Sequence, residues 1–95
     1  MIEELNKVAN LDKLDERFKC SAELKVGKEK VGLELKPTGI EAVEVSEPDV
    51  KISMTTEQFA QISNGELSLA KAYMRGDIKP EGSTRAVIGF CLALG

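Results

Sequence analysis

The 95-residue chain predicts an α+β fold: a largely antiparallel sheet with helices packed on one face and an apolar space between the layers. Three observations predict it. Residues 18–54 alternate apolar and polar side chains in short runs separated by turns, the mark of strands buried on one face. Residues 55–94 switch to capped helical segments. The last of those, Ala86–Leu94, is apolar nearly all round, so it wants burial on more than one side.

The elements follow in order. Residues 2–16 open with a weak helix signal, Ile2, Leu5 and Val8 sharing a face until Asn10 and the Leu11–Leu14 stretch interrupt it. Phe18, Cys20, Ala22, Leu24 and Val26 then alternate with Lys19, Ser21, Glu23 and Lys25. A turn over Gly27–Lys30 leads to a second run through Val31, Leu33 and Leu35. Pro37-Thr-Gly39 and Glu47-Pro-Asp49 are further turns, enclosing a short run around Val43 and Val45. Val50, Ile52 and Met54 form the last clear strand. Connections this short predict antiparallel pairing.

The helical part starts at a capping box, Thr55 with Gln58, flanked by Met54 and Phe59 at the positions of a hydrophobic staple. Gly65 suits a helix stop. Ser68 caps a second helix that Gly76 ends. Asp77–Pro80 reads as a short extended edge, and Ser83 or Thr84 caps the final helix.

Composition narrows the function. One domain and one core fit this length. Net charge is −3 with a sequence pI near 5.0, and no basic footprint for nucleic acid is present. The acidic start Met1-Ile-Glu-Glu-Leu5 is unlike a signal peptide, and the apolar tail is too short to span a bilayer. Cys20 and Cys91 stand far apart without a C-x-x-C pattern, so two free thiols and a reducing cytoplasm are the expectation. Histidine is absent, and no nucleophile elbow or phosphate-cradling loop occurs. The expectation is therefore a non-catalytic protein without metal or cofactor. Aromatics are 4% of the chain, which suits an aliphatic core either filled or hollow. Lys71, Arg75, Lys79 and Arg85 crowd one stretch with Asp77 and Glu81; they suit either a solvated surface or a pocket mouth that holds an anionic head group.

Val50-Lys-Ile-Ser-Met54 leading into Thr55-Thr-Glu-Gln-Phe59, then Asn64-Gly-Glu-Leu67, then Lys71-Ala-Tyr-Met-Arg-Gly-Asp-Ile-Lys79 with Gly82, resembles the sterol carrier protein (type two) domain family. The resemblance covers about a third of the chain closely; the earlier strands match in order and period. It implies a five-stranded sheet with a cavity under the helices for a fatty acid, fatty acyl-CoA or sterol. Carried over together with the inward patterning, it implies walls from Met54, Phe59, Ile62, Tyr73, Met74, Ile78, Val87, Phe90, Cys91 and Leu94, with Arg75 and Lys79 from the cation cluster at the head group. Membrane contact would be transient at most. The chain departs from the family in its brief final helix and in Pro80, so closure by a second subunit, as a homodimer through the C-terminal helix, is one expectation. A second is an interaction or dimerisation module of the same fold, with a filled core, acting with an enzyme.

Overall fold

A computed structural model describes all residues, Met1–Gly95. Helix α1 (Ile2–Val8) and a 3-10 turn (Leu11–Lys13) precede strands β1 (Cys20–Val26), β2 (Glu29–Lys36), β3 (Gly39–Ala42) and β4 (Val50–Met54). Then come α2 (Thr56–Ser63), α3 (Leu69–Arg75), the two-residue strand β5 (Glu81–Gly82) and α4 (Thr84–Leu94). The five strands lie in the order β3-β2-β1-β4-β5. The sheet has five strands, as the family resemblance implies, and is antiparallel except at one pairing.

Alternation does what it predicts on β1, β2 and β4. Cys20, Ala22, Leu24 and Val26 are buried on one face, joined by Leu33, Leu35, Val50, Ile52 and Met54. The opposite face carries the charges, with Lys30 and Glu23 at 3.6 Å and Lys36 between Glu34 at 3.4 Å and Glu41 at 3.2 Å. Burying only one face leaves the other to be solvated, which is the antiparallel habit.

The exception is central. β1 and β4 run parallel, with Ala22 opposite Val50 and Val26 opposite Met54. The expected hairpin between the third run and Val50 does not form. Val43 still donates its N–H to the Gly32 carbonyl at 3.0 Å, and from there residues 44–49 strap across the outer face of the sheet. Gly32 makes the crossing tight: a Cβ there would collide with the Val43 carbonyl oxygen. Asp49 anchors the far end of the strap. Its N–H donates to the Ser21 carbonyl at 3.0 Å, and its carboxylate accepts from the Ser21 N–H at 2.9 Å. The backbone carbonyl of Asp49 also accepts from Ser83 N–H at 2.8 Å, which pins the start of α4 to the sheet.

Smaller shifts have local causes. The Asp77–Pro80 extension proves to lie at Glu81–Gly82, beyond Pro80, where both residues can pair with β4. The first helix stops at Val8, and Leu11–Lys13 makes only a 3-10 turn. The caps form as read. Thr55 Oγ1 accepts from Gln58 N–H at 3.0 Å while Gln58 Oε1 accepts from Thr55 N–H at 2.9 Å. Ser68 and Ser83 cap α3 and α4, and Gly76 closes α3 in the left-handed region at φ 79°.

The free edge of β3 is closed by a side chain. Asn6 of α1 donates to the Ile40 carbonyl and accepts from the Ile40 N–H, both at 2.9 Å. An amide that mimics a strand in this way ties α1 to the sheet and occupies hydrogen-bonding groups otherwise open to a second chain.

Candidate functional site

The inner face of the sheet and the undersides of three helices converge at one place. Leu5 comes from α1, Ala22 and Leu24 from β1, and Leu33 from β2. Ile52 and Met54 come from β4, Leu69 from α3, and Phe90 and Leu94 from α4. Every one of the nine is hydrophobic, and no polar side chain is buried anywhere in the protein. The space they enclose is only about 10 Å³. The cavity expected between the layers is thus drawn shut by the protein's own side chains. The physical reason is the aliphatic core: Leu, Ile and Met rotamers fill a gap that rigid rings would bridge.

The sequence-predicted wall divides into three groups. Met54, Phe90 and Leu94 meet at the interlayer centre. Ile62, Ile78 and Val87 are buried elsewhere in the same core, with Phe59 and Cys91 half-buried at its margin. Tyr73 and Met74 do not belong to it. They are 47% and 84% exposed. On α3 the inward pair is Leu69 and Ala72, three residues apart, which turns Met74 to the opposite side of the helix. Arg75 and Lys79 are both exposed, Arg75 on the flank of α3 and Lys79 beyond its end, and neither lines the interlayer centre. Six of the nine, Leu5, Ala22, Leu24, Leu33, Ile52 and Leu69, lie outside the wall the resemblance implies, although strand alternation points inward at Ala22, Leu24, Leu33 and Ile52.

Helix α4 presents two stripes. Ala86, Phe90, Ala93 and Leu94 face inward. Ile88 and Leu92, one turn apart, face out at 53% and 40% exposure. Together with Leu14 and Phe18 they line an open groove of about 530 Å³ along the 3-10 turn, with Lys13, Asp15 and Arg85 on its rim. Arg85 stacks on the Phe18 ring, 4.6 Å from its centroid, and donates to the Lys19 carbonyl at 3.3 Å. Gly89 lets the ring lie against the helix backbone, since a Cβ there would collide with it.

The thiols are electrostatically quiet. Burial, reinforced by the Asp49 carboxylate, pushes Cys20 up to about 12. Burial also raises Cys91. A thiol held protonated is a poor nucleophile and behaves as a small apolar group.

A five-stranded sheet roofed on one face by helices, with an unbroken apolar seam between, defines a small α+β domain of the sterol-carrier type. Residues 2–90 match the SCP-2 sterol transfer family, and the chain belongs to it. The family is one generally implicated in lipid binding and transfer. Among solved structures, palmitated SCP2L2 from Aedes aegypti superposes with a TM-score of 0.68 at 17% identity, over 95% of this chain and 83% of that one. Apo sterol carrier protein 2 from Yarrowia lipolytica gives 0.52 at 15% identity, over 95% and 70%. The sec-alkylsulfatase Pisa1 from Pseudomonas sp. gives 0.64 at 20% identity, over 94% of this chain and 15% of the sulfatase. The chain therefore corresponds to a small part of the sulfatase and to most of the carrier proteins. At these identities the likeness is one of fold. No curated protein matches in sequence.

Proposed function

We propose that this protein is a non-catalytic lipid binder or lipid carrier that takes an acyl chain or sterol between sheet and helices by parting them. One observation carries the reading: nine apolar side chains from two layers meet with no polar group among them. The closed seam is consistent with it on energetic grounds. A hollow of roughly 400 Å³, within the usual range of ligand pockets, costs about 10 kcal/mol if left empty. That is comparable to the whole stability of a small domain, about 5–15 kcal/mol. Such a protein closes its layers when nothing separates them. An acyl chain of roughly 16 carbons offers on the order of 12 kcal/mol gross for opening them, before the loss of ligand freedom. The lightest cover is α1, a seven-residue helix with Leu5 as its one fully buried side chain.

Native mass spectrometry of the protein incubated with palmitate, palmitoyl-CoA and cholesterol tests the proposal. One bound lipid per chain and a higher melting temperature are expected. Protein that stays at its bare mass with all three, and melts unchanged, rules it out.

A second reading rests on a different observation, the outward Ile88–Leu92 stripe and its groove. On that reading the closed core is permanent and α4 docks on a second copy or on an enzyme. Sedimentation that depends on concentration, is abolished by I88S/L92S and is accompanied by no lipid uptake would favour it.

A further inference from the structure

We infer that the outward face of α3 and the Gly76–Lys79 segment after it form a docking surface for an anionic lipid bilayer. Helix α3 is fixed from beneath by Leu69 and Ala72. At about 100° per residue, Met74 then points almost directly away from the protein, and it is 84% exposed. It is the most exposed large hydrophobic side chain in the molecule. Lys71 and Arg75 flank it on one side of the helix, and Tyr73, 47% exposed, on the other.

The charges complete the argument. Helix α3 itself carries two cations, Lys71 and Arg75, and no acid; Lys79 follows beyond Asp77, with Glu66 and Glu81 bordering the segment, in a chain of net charge −3. All three cations are exposed, and none takes part in an ion pair. On the sheet's outer face Lys19, Lys30 and Lys36 are paired with glutamates, while Lys25 and Lys51 are exposed and unpaired but have no exposed apolar side chain of Met74's kind beside them. A thioether at the apex, a tyrosine at the shoulder and unpaired cations around them match a bilayer surface layer by layer. Met74 would enter the acyl boundary, Tyr73 would sit at the head-group level, and the cations would meet lipid phosphates. No helix is long and apolar enough to cross a membrane, so the contact is superficial. The inference does not depend on lipid uptake between the layers, because vesicle association and bound lipid mass are separate readouts.

Co-sedimentation with phosphatidylcholine vesicles, with and without 30 mol% phosphatidylglycerol, provides the test (the vesicle composition is chosen to be about one-third anionic). Binding is expected only to the anionic vesicles and should weaken with salt. Lys71→Gln, Arg75→Gln and Lys79→Gln should each weaken it about five-fold and together roughly a hundred-fold. Met74→Ser should weaken it roughly ten-fold, and Met74→Leu should restore it. Lys19→Gln/Lys30→Gln, which removes two cations paired with Glu34 and Glu23 on the sheet's outer face, should leave it unchanged. Far-UV circular dichroism confirms that each variant is folded. Failure of the wild-type protein to bind anionic vesicles overturns the inference. So does an equal loss in the Lys19/Lys30 variant. Self-association abolished by Met74→Ser, without vesicle binding, also overturns it and assigns the patch to a second copy.

Discussion

Replacing Phe90 with alanine should be among the most damaging single changes in the protein, and its size follows from the closed seam. The ring is 2% exposed and lies among Leu5, Leu24, Leu69 and Leu94 where the layers meet. With only about 10 Å³ of slack there, its removal leaves a new hollow rather than enlarging an old one. Phe→Ala changes at such sites cost about 3–5 kcal/mol. A domain of this length then melts roughly 12–40 °C lower, at about 4–8 °C per kcal/mol. Urea unfolding followed by far-UV circular dichroism measures the loss; the midpoint should fall while the slope stays the same. Palmitate supplies a second arm. At a free concentration of 100 times its Kd it should restore about 2.7 kcal/mol. At one fixed palmitate concentration the recovery should be larger in the variant than in the wild-type protein, because part of the space is already open and its Kd is lower. A loss below about 1 kcal/mol would refute the packing argument. The full loss without any palmitate effect in either protein would leave the packing intact and remove the case for acyl binding.

Other changes probe the frame around the seam. Gly82→Ala should destabilise by about 2–4 kcal/mol, because φ is 144° and a Cβ would meet the Asp49 backbone; thermal melting measures it. Asn6→Ala removes both hydrogen bonds to Ile40 and should cost about 1–2 kcal/mol, with light scattering on warming as the exposed β3 edge pairs between molecules. Iodoacetamide at pH 8.5 should leave Cys20 unmodified until the protein is unfolded in urea, as read by mass spectrometry. The sign of its pH effect is set by the raised folded pKa. The contribution to stability is whole below the unfolded value of about 8.5 and declines as pH climbs toward about 12.

Much of this was legible in the residues because local physics decided it. Cys20–Val26 alternates strictly, and its inward set is buried in the fold. Thr55, Ser68 and Ser83 satisfy the first amides of their helices within three residues, so their caps needed no tertiary information. What could not be read was non-local. Turn residues at Glu47–Asp49 look alike whether the chain doubles back or crosses the sheet; the parallel partner of β4 lies 28 residues earlier, Ala22 against Val50. The hint was Gly32, the one outward position of β2 without a side chain to obstruct a crossing. Tyr73 and Met74 were misplaced because apolar type outweighed helical phase: Leu69 and Ala72 already define the buried side of a seven-residue helix. The closure of the seam is a matter of rotamer packing, which no pattern of residue types reports.

The strap over Gly32 also shapes how the chain reaches this state. β1 and β2 are joined by the Gly27–Lys28 turn, and such hairpins zip in about 1–10 μs. β4 has to find the other flank of β1 only after the segment between has swung across the ribbon, and that ring closure makes it a late arrival. Until it docks, one side of the middle strand offers bare amides and carbonyls to any passing neighbour. Dilute, cool refolding should therefore give more native protein than concentrated, warm refolding.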